Sequence, residues 1–329
     1  MEGFDALIIG SGAGGAACAW GLIQRGWRVR VLEAGPGFDA GDYALDRPDW
    51  EQIRFPHRPG SQVAYTFAPL QELDPAFDGL RSWSRTDDAG HRWQRRIGGR
   101  YHHVQGVGGS TLHFTGESHR LNPRGMRLRN DFGVGADWPF RADALLPYYE
   151  TAEEVIGVAG PEVERRVERH RPLPQPPHRL SHASQRLASG AAALGMEWGA
   201  NSVAALSRPR PGRPACNYCG GCNYGCPIRD KGSADVTFLR EAAATDRFAI
   251  EPRTRVLRLE VDGRDRVAAV ICASGDGERR IALQGRACWP AVPLRRRACY
   301  WHRPSPAPRR GLPTSPGRWA EISWKPSLG

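Results

Sequence analysis

Three groups of residues in this chain have types and spacings that can do chemistry. The first is Gly10-Ser11-Gly12-Ala13-Gly14-Gly15, with Glu33 lying 18 residues after Gly15. Glycine at 10 permits a tight turn, and glycine at 12 lets the backbone approach a pyrophosphate. Glycine at 15 lets a helix pack close to the preceding strand. A helix opening at Ala13 turns its positive end toward phosphate charge. A carboxylate at Glu33 can accept both hydroxyls of an adenosine ribose. That favours an unphosphorylated ribose, so FAD or NAD rather than NADP. The second group is Gly106-Val107-Gly108-Gly109-Ser110-Thr111-Leu112-His113. A second glycine cluster is another place where backbone can approach a ligand, and an ordinary glycine loop reads the same way. The third is Cys216, Cys219, Cys222 and Cys226 followed by Pro227, the spacing C-x2-C-x2-C-x3-C-P. Thiolates so spaced can wrap an iron–sulfur cluster, though no second run is present for the partner cluster that such runs usually serve. Zinc suits such tight spacing poorly, and a buried structural or disulfide-forming loop has the same composition.

The elements that must carry these residues are legible around the first group. Ala6-Leu7-Ile8-Ile9 is an apolar run, the glycines follow, a small-residue helix comes next, and Val29-Arg30-Val31-Leu32 leads to Glu33. This is a βαβ unit with its acid in place. A helix is expected over Asp143 to Ile156, with Asp143 as N-cap and Gly157 as stop, and another over 183–195. Residues 160–182 and 207–214 read as Pro- and Arg-rich connections. Ser233 to Ala244 reads as a helix, and Phe248-Ala249-Ile250, Val256 to Val261 and Val267 to Ile271 read as strands of a meander. Residues 37–95 read as loops and short strands.

The chain has 329 residues, enough for two domains and a sizeable core. No apolar run approaches a membrane span, and the start shows no secretory leader, so a cytoplasmic protein with no membrane span is expected. The formal net charge is +11, but residues 286–329 hold eight Arg and one Lys against one Glu, leaving +3 for the rest. A charge excess confined to one stretch gives no reason to expect nucleic acid as a partner.

Taken together, DALIIGSGAGG…VLEAGP, GVGGSTLHFTG, DWPFRADALLPYYETAEEVIGVAG, CNYCGGCNYGCP and RVLRLEVDGRDRVAAV resemble the glucose–methanol–choline (GMC) family of FAD-dependent oxidoreductases. They occur in family order across about residues 4–283. The resemblance implies an α/β fold: an FAD/NAD(P)-binding Rossmann-like domain with an inserted, incomplete α+β substrate or cap region. It implies FAD as cofactor, and an alcohol or sugar as the small-molecule substrate, oxidised at a CH–OH group by hydride transfer to the flavin. Residue by residue, Gly10, Gly12, Ala13, Gly15 and Glu33 would hold the ADP half. Gly108, Gly109, Ser110, Thr111 and His113 would run beside the isoalloxazine. His113 stands where some sugar-oxidising relatives link a histidine covalently to flavin; contact without a bond is the alternative. Some relatives carry an iron–sulfur cluster where Cys216 to Cys226 lie, and others share such runs without one. The implied domains are residues 1–36 (first βαβ), 37–214 (remainder with cap insertions), 215–283 (cysteines and return to the FAD domain) and 284–329.

Residues 284–329 depart from the family pattern, which would continue with a strand like VLAAGA and then ETPRLLLAS. Joining the third base of each codon to the first two of the next restores it. Ala287-Cys288-Trp289-Pro290 then reads NTG-YTG-GCC, with Leu and Ala forced, and Ala298 to His302 reads NTG-YTA-YTG-GCA, which permits Leu-Leu-Leu-Ala. A change of reading frame between about residues 282 and 288 is therefore expected. The family's catalytic histidine lies beyond this point, so no catalytic residue is assigned, and His302 is not drafted into the role.

Overall fold

The computed structural model describes residues 3–39, 81–83, 102–104, 106–161, 169–196, 198–222, 225–262, 266–274, 277–283, 286–288 and 300–301. The predicted βαβ unit forms at its start. Strand β1 (Ala6–Ile9) leads through the glycine turn into helix α1 (Ala13–Ile23), and β2 (Val29–Leu32) returns parallel to β1, pairing Ala6 with Val29 and Ile9 with Leu32. Both strands are apolar at nearly every position because the sheet is covered on both faces.

Strands β3 (Arg81–Trp83) and β4 (His102–Val104) form an antiparallel pair. The rest of 37–95 beyond Asp39 lies outside the described residues. After the second glycine cluster come α2 (Leu128–Phe132), α3 (Leu146–Ile156) and α4 (His182–Ala193). Helix α3 starts later than expected. A 3-10 turn (Ala142–Leu145) takes up the Asp143 region, and Pro147 opens the α-helix, where its missing N–H costs nothing. Gly157 ends α3 at φ +80, as expected for a left-handed C-cap. Ser181 caps α4 by accepting from Ser184 N at 3.1 Å.

Helix α5 (Phe238–Ala243) is shorter than the expected Ser233–Ala244, because the backbone of Thr237 (φ −119, ψ −102) is not helical; in the turn before it, Ala234 N donates to the Thr111 hydroxyl at 2.9 Å. Strand β5 (Phe248–Glu251) joins β2 in parallel instead of opening the meander, which is made by β6 (Arg255–Val261), β7 (Val267–Ser274) and β8 (Gly277–Ala282). Strand β9 (Arg286–Cys288) pairs in parallel with β1, giving the sheet order β5-β2-β1-β9, and β10 (Tyr300–Trp301) pairs with β6. Two pieces of 284–329 are thus strands, where the sequence showed no element period.

The two faces of the parallel sheet carry the core. Ala6, Ile8, Val29 and Val31 pack on Ala19 and Ile23 of α1 and Ala242 of α5. Leu7 and Leu32 face the other way, onto Val256, Leu259, Val270, Cys272 and Ile281 of the meander. Truncating Leu7, which is fully buried, to Ala would cost about 2–5 kcal/mol. The region expected to be a connection at 207–214 contains a buried side chain. The Arg213 guanidinium donates to the carbonyls of Ile156 (2.8 Å), Arg229 (3.1 Å) and Asp230 (2.8 Å), tying the end of α3 to the loop after the cysteines. Burial, then the charge of Arg210, pulls its pKa down to about 10.

Candidate cofactor site

The glycine turn after β1 is built as its sequence requires. Gly10 has φ +88, a conformation rarely open to other residues, and a Cβ at either Gly10 or Gly12 would meet nothing within 4 Å. The space beside the turn is therefore open. Gly12 is the N-cap of α1 and supplies no side-chain cap, Ala13 is exposed, and Gly15 is buried against the strand layer. The first amides of α1 thus face that open space without a protein acceptor on the cap, as an anion-binding helix start does.

Glu33 closes the β2 end of this space. It is 6% exposed, and its carboxylate accepts from Ser11 N (2.9 Å), the Ser11 hydroxyl (2.6 Å) and Gly35 N (3.0 Å). The two Ser11 donors fill Oε2 and Gly35 N takes one site on Oε1, which leaves one lone pair of Oε1 for a ligand hydroxyl. The serine between the fingerprint glycines is a link that sequence reasoning missed. Its hydroxyl also accepts from Gly108 N at 3.2 Å, so one side chain joins the acid, the first glycine turn and the second glycine loop.

The second loop comes directly onto the first. A Cβ on Gly109 would stand 2.8 Å from Gly12 Cα, and Gly109 has φ +57. Only glycine allows that backbone-to-backbone approach. Gly109 opens a 3-10 turn (Gly109–Leu112) in which Ser110 is exposed and the Thr111 hydroxyl donates to Gly108 O at 2.6 Å. His113 caps the turn and is half-buried. The predicted residues Gly10, Gly12, Glu33, Gly108 and Gly109 are thus brought together by the Ser11 hydrogen bonds and the Gly109–Gly12 approach, Ala13 and Gly15 lie in the first turn of α1, and Ser110, Thr111 and His113 follow Gly109 in its turn.

Behind this loop sits a lysine for which the sequence offered no signal. Lys231 is 1% exposed, and its Nζ donates to Leu112 O (2.8 Å), Phe114 O (3.0 Å) and Cys222 O (2.6 Å). Burial pulls its pKa down to about 8, against opposing pulls from Cys222, Cys226 and Asp235. Asp235, four residues on, lies 3.3 Å from where a Gly108 Cβ would be, and its Oδ1 is buried with no hydrogen-bond partner among the described residues. Burial raises its pKa.

The cysteines are not gathered as metal ligands in this structure. Among the described residues no group of three or more His, Cys, Asp or Glu side chains could hold a metal ion, and Cys216, Cys219, Cys222 and Cys226 are free thiols. The Cys226 thiol donates to Asp230 Oδ1 at 2.5 Å. Burial first, and then the hydrogen bond to Asp230, push Cys216 and Cys226 up to about 12; burial raises Cys222 as well.

Residues 8–74 match the family model for an NAD(P)-binding Rossmann-like domain, and residues 125–288 match that for GMC oxidoreductase. The chain is 30% identical to 6'''-hydroxyparomomycin C oxidase of Streptomyces lividus over 82% of its own length and 44% of the relative. It is 27% identical to the fructose dehydrogenase large subunit of Gluconobacter japonicus, over 81% of this chain and 48% of that one. The crystal structure of pyridoxine 4-oxidase from Mesorbium loti has the same fold, with TM-score 0.50 and 19% identity over 85% of this chain and 48% of that chain. The chain spans about half the length of the curated relatives it matches. No helix among the described residues is long and apolar enough to cross a membrane. Two family models in the expected order, relatives along most of the chain and a parallel sheet with its glycine cradle agree: this chain belongs to the GMC oxidoreductase family.

Proposed function

We propose that this chain supplies the FAD-binding half of an oxidoreductase acting on the CH–OH group of an alcohol or sugar. The observation that carries this reading is the seating of Gly109 on Gly12, with Glu33 bonded to the Ser11 between the fingerprint glycines. Two glycine loops almost a hundred residues apart meet beside an uncapped helix start, with open space at the Gly10 and Gly12 Cβ positions. In this reading the first amides of α1 hold the pyrophosphate and Glu33 takes the adenosine ribose. The turn from Gly109 to His113 borders the flavin ring. FAD, when bound, supplies the acceptance of a hydride from the carbon that bears the hydroxyl. This chain's own residues bind and orient; none of them is assigned the proton of the substrate hydroxyl. Residues 37–214 are proposed to complete the FAD domain with cap insertions, and 284–329 to lie outside the family's pattern.

Titrating the purified protein with FAD while following flavin fluorescence tests the binding. Saturable quenching and a yellow protein are expected, and a colourless protein with unquenched FAD overturns it. Adding alcohols and sugars anaerobically to the loaded protein tests turnover, read as bleaching of the flavin band. Binding without bleaching would assign this chain cofactor binding alone. Acid precipitation is expected to release the FAD, His113 making contact without a bond; flavin retained in the pellet reverses that assignment.

A further inference from the structure

Segment 231–235 is a mould for the second glycine loop. Lys231 holds the carbonyls of Leu112 and Phe114, Ala234 N holds the Thr111 hydroxyl, and Asp235 lies against Gly108. The contacts bracket one residue. Leu112 and Phe114 are the neighbours of His113 on either side, and both of their carbonyls converge on a single ammonium.

The ammonium is an expensive way to make this brace. All three N–H donors of Lys231 are spent on neutral carbonyls, and the nearest aromatic contact is the Phe114 ring, 5.1 Å from Nζ. Burying a charge with neutral acceptors carries a desolvation penalty of several kcal/mol before those hydrogen bonds offset it. A backbone amide or a serine could tie down one carbonyl at far smaller cost. What the ammonium adds is three donors from one point. They lock residues 112 and 114 relative to each other and tie both to Cys222 in the cysteine loop. The backbone between them then has no freedom to rotate the residue it carries.

We infer that Lys231 is a positioning residue for His113, fixing the backbone from which the imidazole is presented on the cofactor loop. This rests on the FAD reading for its functional meaning, but the geometry is a property of the chain itself. Leu112, Phe114 and Cys222 come from two loops more than a hundred residues apart in sequence, so the position of His113 is also tied to the cysteine loop.

Four proteins test it: the parent, Lys231→Met, His113→Ala and the double variant. In the FAD-free proteins, hydrogen exchange of peptides spanning 108–116 is compared with that of β1. Lys231→Met is expected to speed exchange around His113 at least roughly tenfold, as loss of charge-assisted hydrogen bonds should, while β1 is unchanged. In the FAD-loaded proteins, the visible circular dichroism and midpoint potential of the flavin are read. Lys231→Met is expected to shift both, and to add nothing once His113 is Ala, because coupled residues are not additive. Additive shifts, or a flavin signature identical to the parent's with only thermal stability lowered, overturn the inference. If Lys231→Met does not fold, Lys231→Gln, which keeps two donors, is read in the same way. A parent that takes up no FAD defeats the FAD reading alone, and the exchange experiment still decides the placement of His113.

Discussion

Gly109 sits on Gly12. A Cβ at 109 would stand 2.8 Å from Gly12 Cα, closer than carbon atoms tolerate, and Gly109 is already in the left-handed region. Gly12 differs, since nothing stands within 4 Å of its own Cβ position. The two glycines therefore answer to different demands. Gly109→Ala is expected to lower stability by about 2–4 kcal/mol, combining backbone strain with overpacking. Gly12→Ala is expected to leave the FAD-free melting temperature nearly unchanged while weakening FAD binding by about tenfold or more, because the new methyl occupies the pyrophosphate's approach. Thermal melts with and without FAD check both. Equal destabilisation by the two variants would count against this division.

Glu33 is held by three donors in the interior. Glu33→Gln keeps the shape but turns an amide N–H2 toward at least one of the Ser11 or Gly35 donors. An expected loss of about 1.5–3 kcal/mol follows from a charge-assisted bond replaced by a donor facing a donor. Chemical denaturation measures it. FAD titration should show weaker binding in the folded variant, and unchanged affinity would remove Glu33 from the ribose site.

The thiols make a pH prediction. Cys216 and Cys226 are pushed up to about 12 by burial and by the hydrogen bond to Asp230. Their reactive thiolate fraction stays small at neutral pH and grows about tenfold per pH unit until the pH nears that value. Iodoacetamide at pH 8 is therefore expected to label exposed Cys219 first. Asp230→Asn removes the carboxylate that accepts the Cys226 proton, so it lowers that thiol's pKa and speeds its labelling. Mass spectrometry of the peptides reads the order. Iron and sulfide copurifying in stoichiometric amount, or Cys226 labelled as fast as Cys219, would contradict the thiol assignment.

Strand β9 bears on the reading frame. Arg286, Ala287 and Cys288 pair with Ala6, Leu7 and Ile8, the place in the sheet next to β1. The shifted codons read Leu and Ala just where this strand would be extended by apolar residues. The nucleotide sequence is expected to show one base gained or lost between about codons 282 and 288. An unambiguous frame, with peptides from 302–329 detected by mass spectrometry, would mean that the tail is real.

What was legible in the sequence was local. The β1–α1–β2 unit, Glu33, the Gly157 stop and the Ser181-capped helix are all written within a few turns of chain. What was not legible depends on distant partners. Lys231 reads as a surface lysine until Leu112 and Phe114 are brought beside it, and Arg213 reads as part of a basic connection until it meets the end of α3. Strand β5 has the pattern of a meander strand; only the open edge of β2 places it in the parallel sheet. The cysteine spacing was legible as a string, but not the burial and the Asp230 carboxylate that raise the pKa of Cys216 and Cys226.

The sheet order has a consequence for how the molecule is made. Strand β1 is made some 280 residues before one of its two neighbours, β9. At about 5–20 residues per second, that leaves a bare strand edge for on the order of tens of seconds. During that time Ala6 to Ile9 is an apolar edge able to pair with another chain. Newly made copies should therefore be most prone to aggregate before β9 emerges, and any change that delays or replaces β9 should be felt first as poor yield of soluble protein.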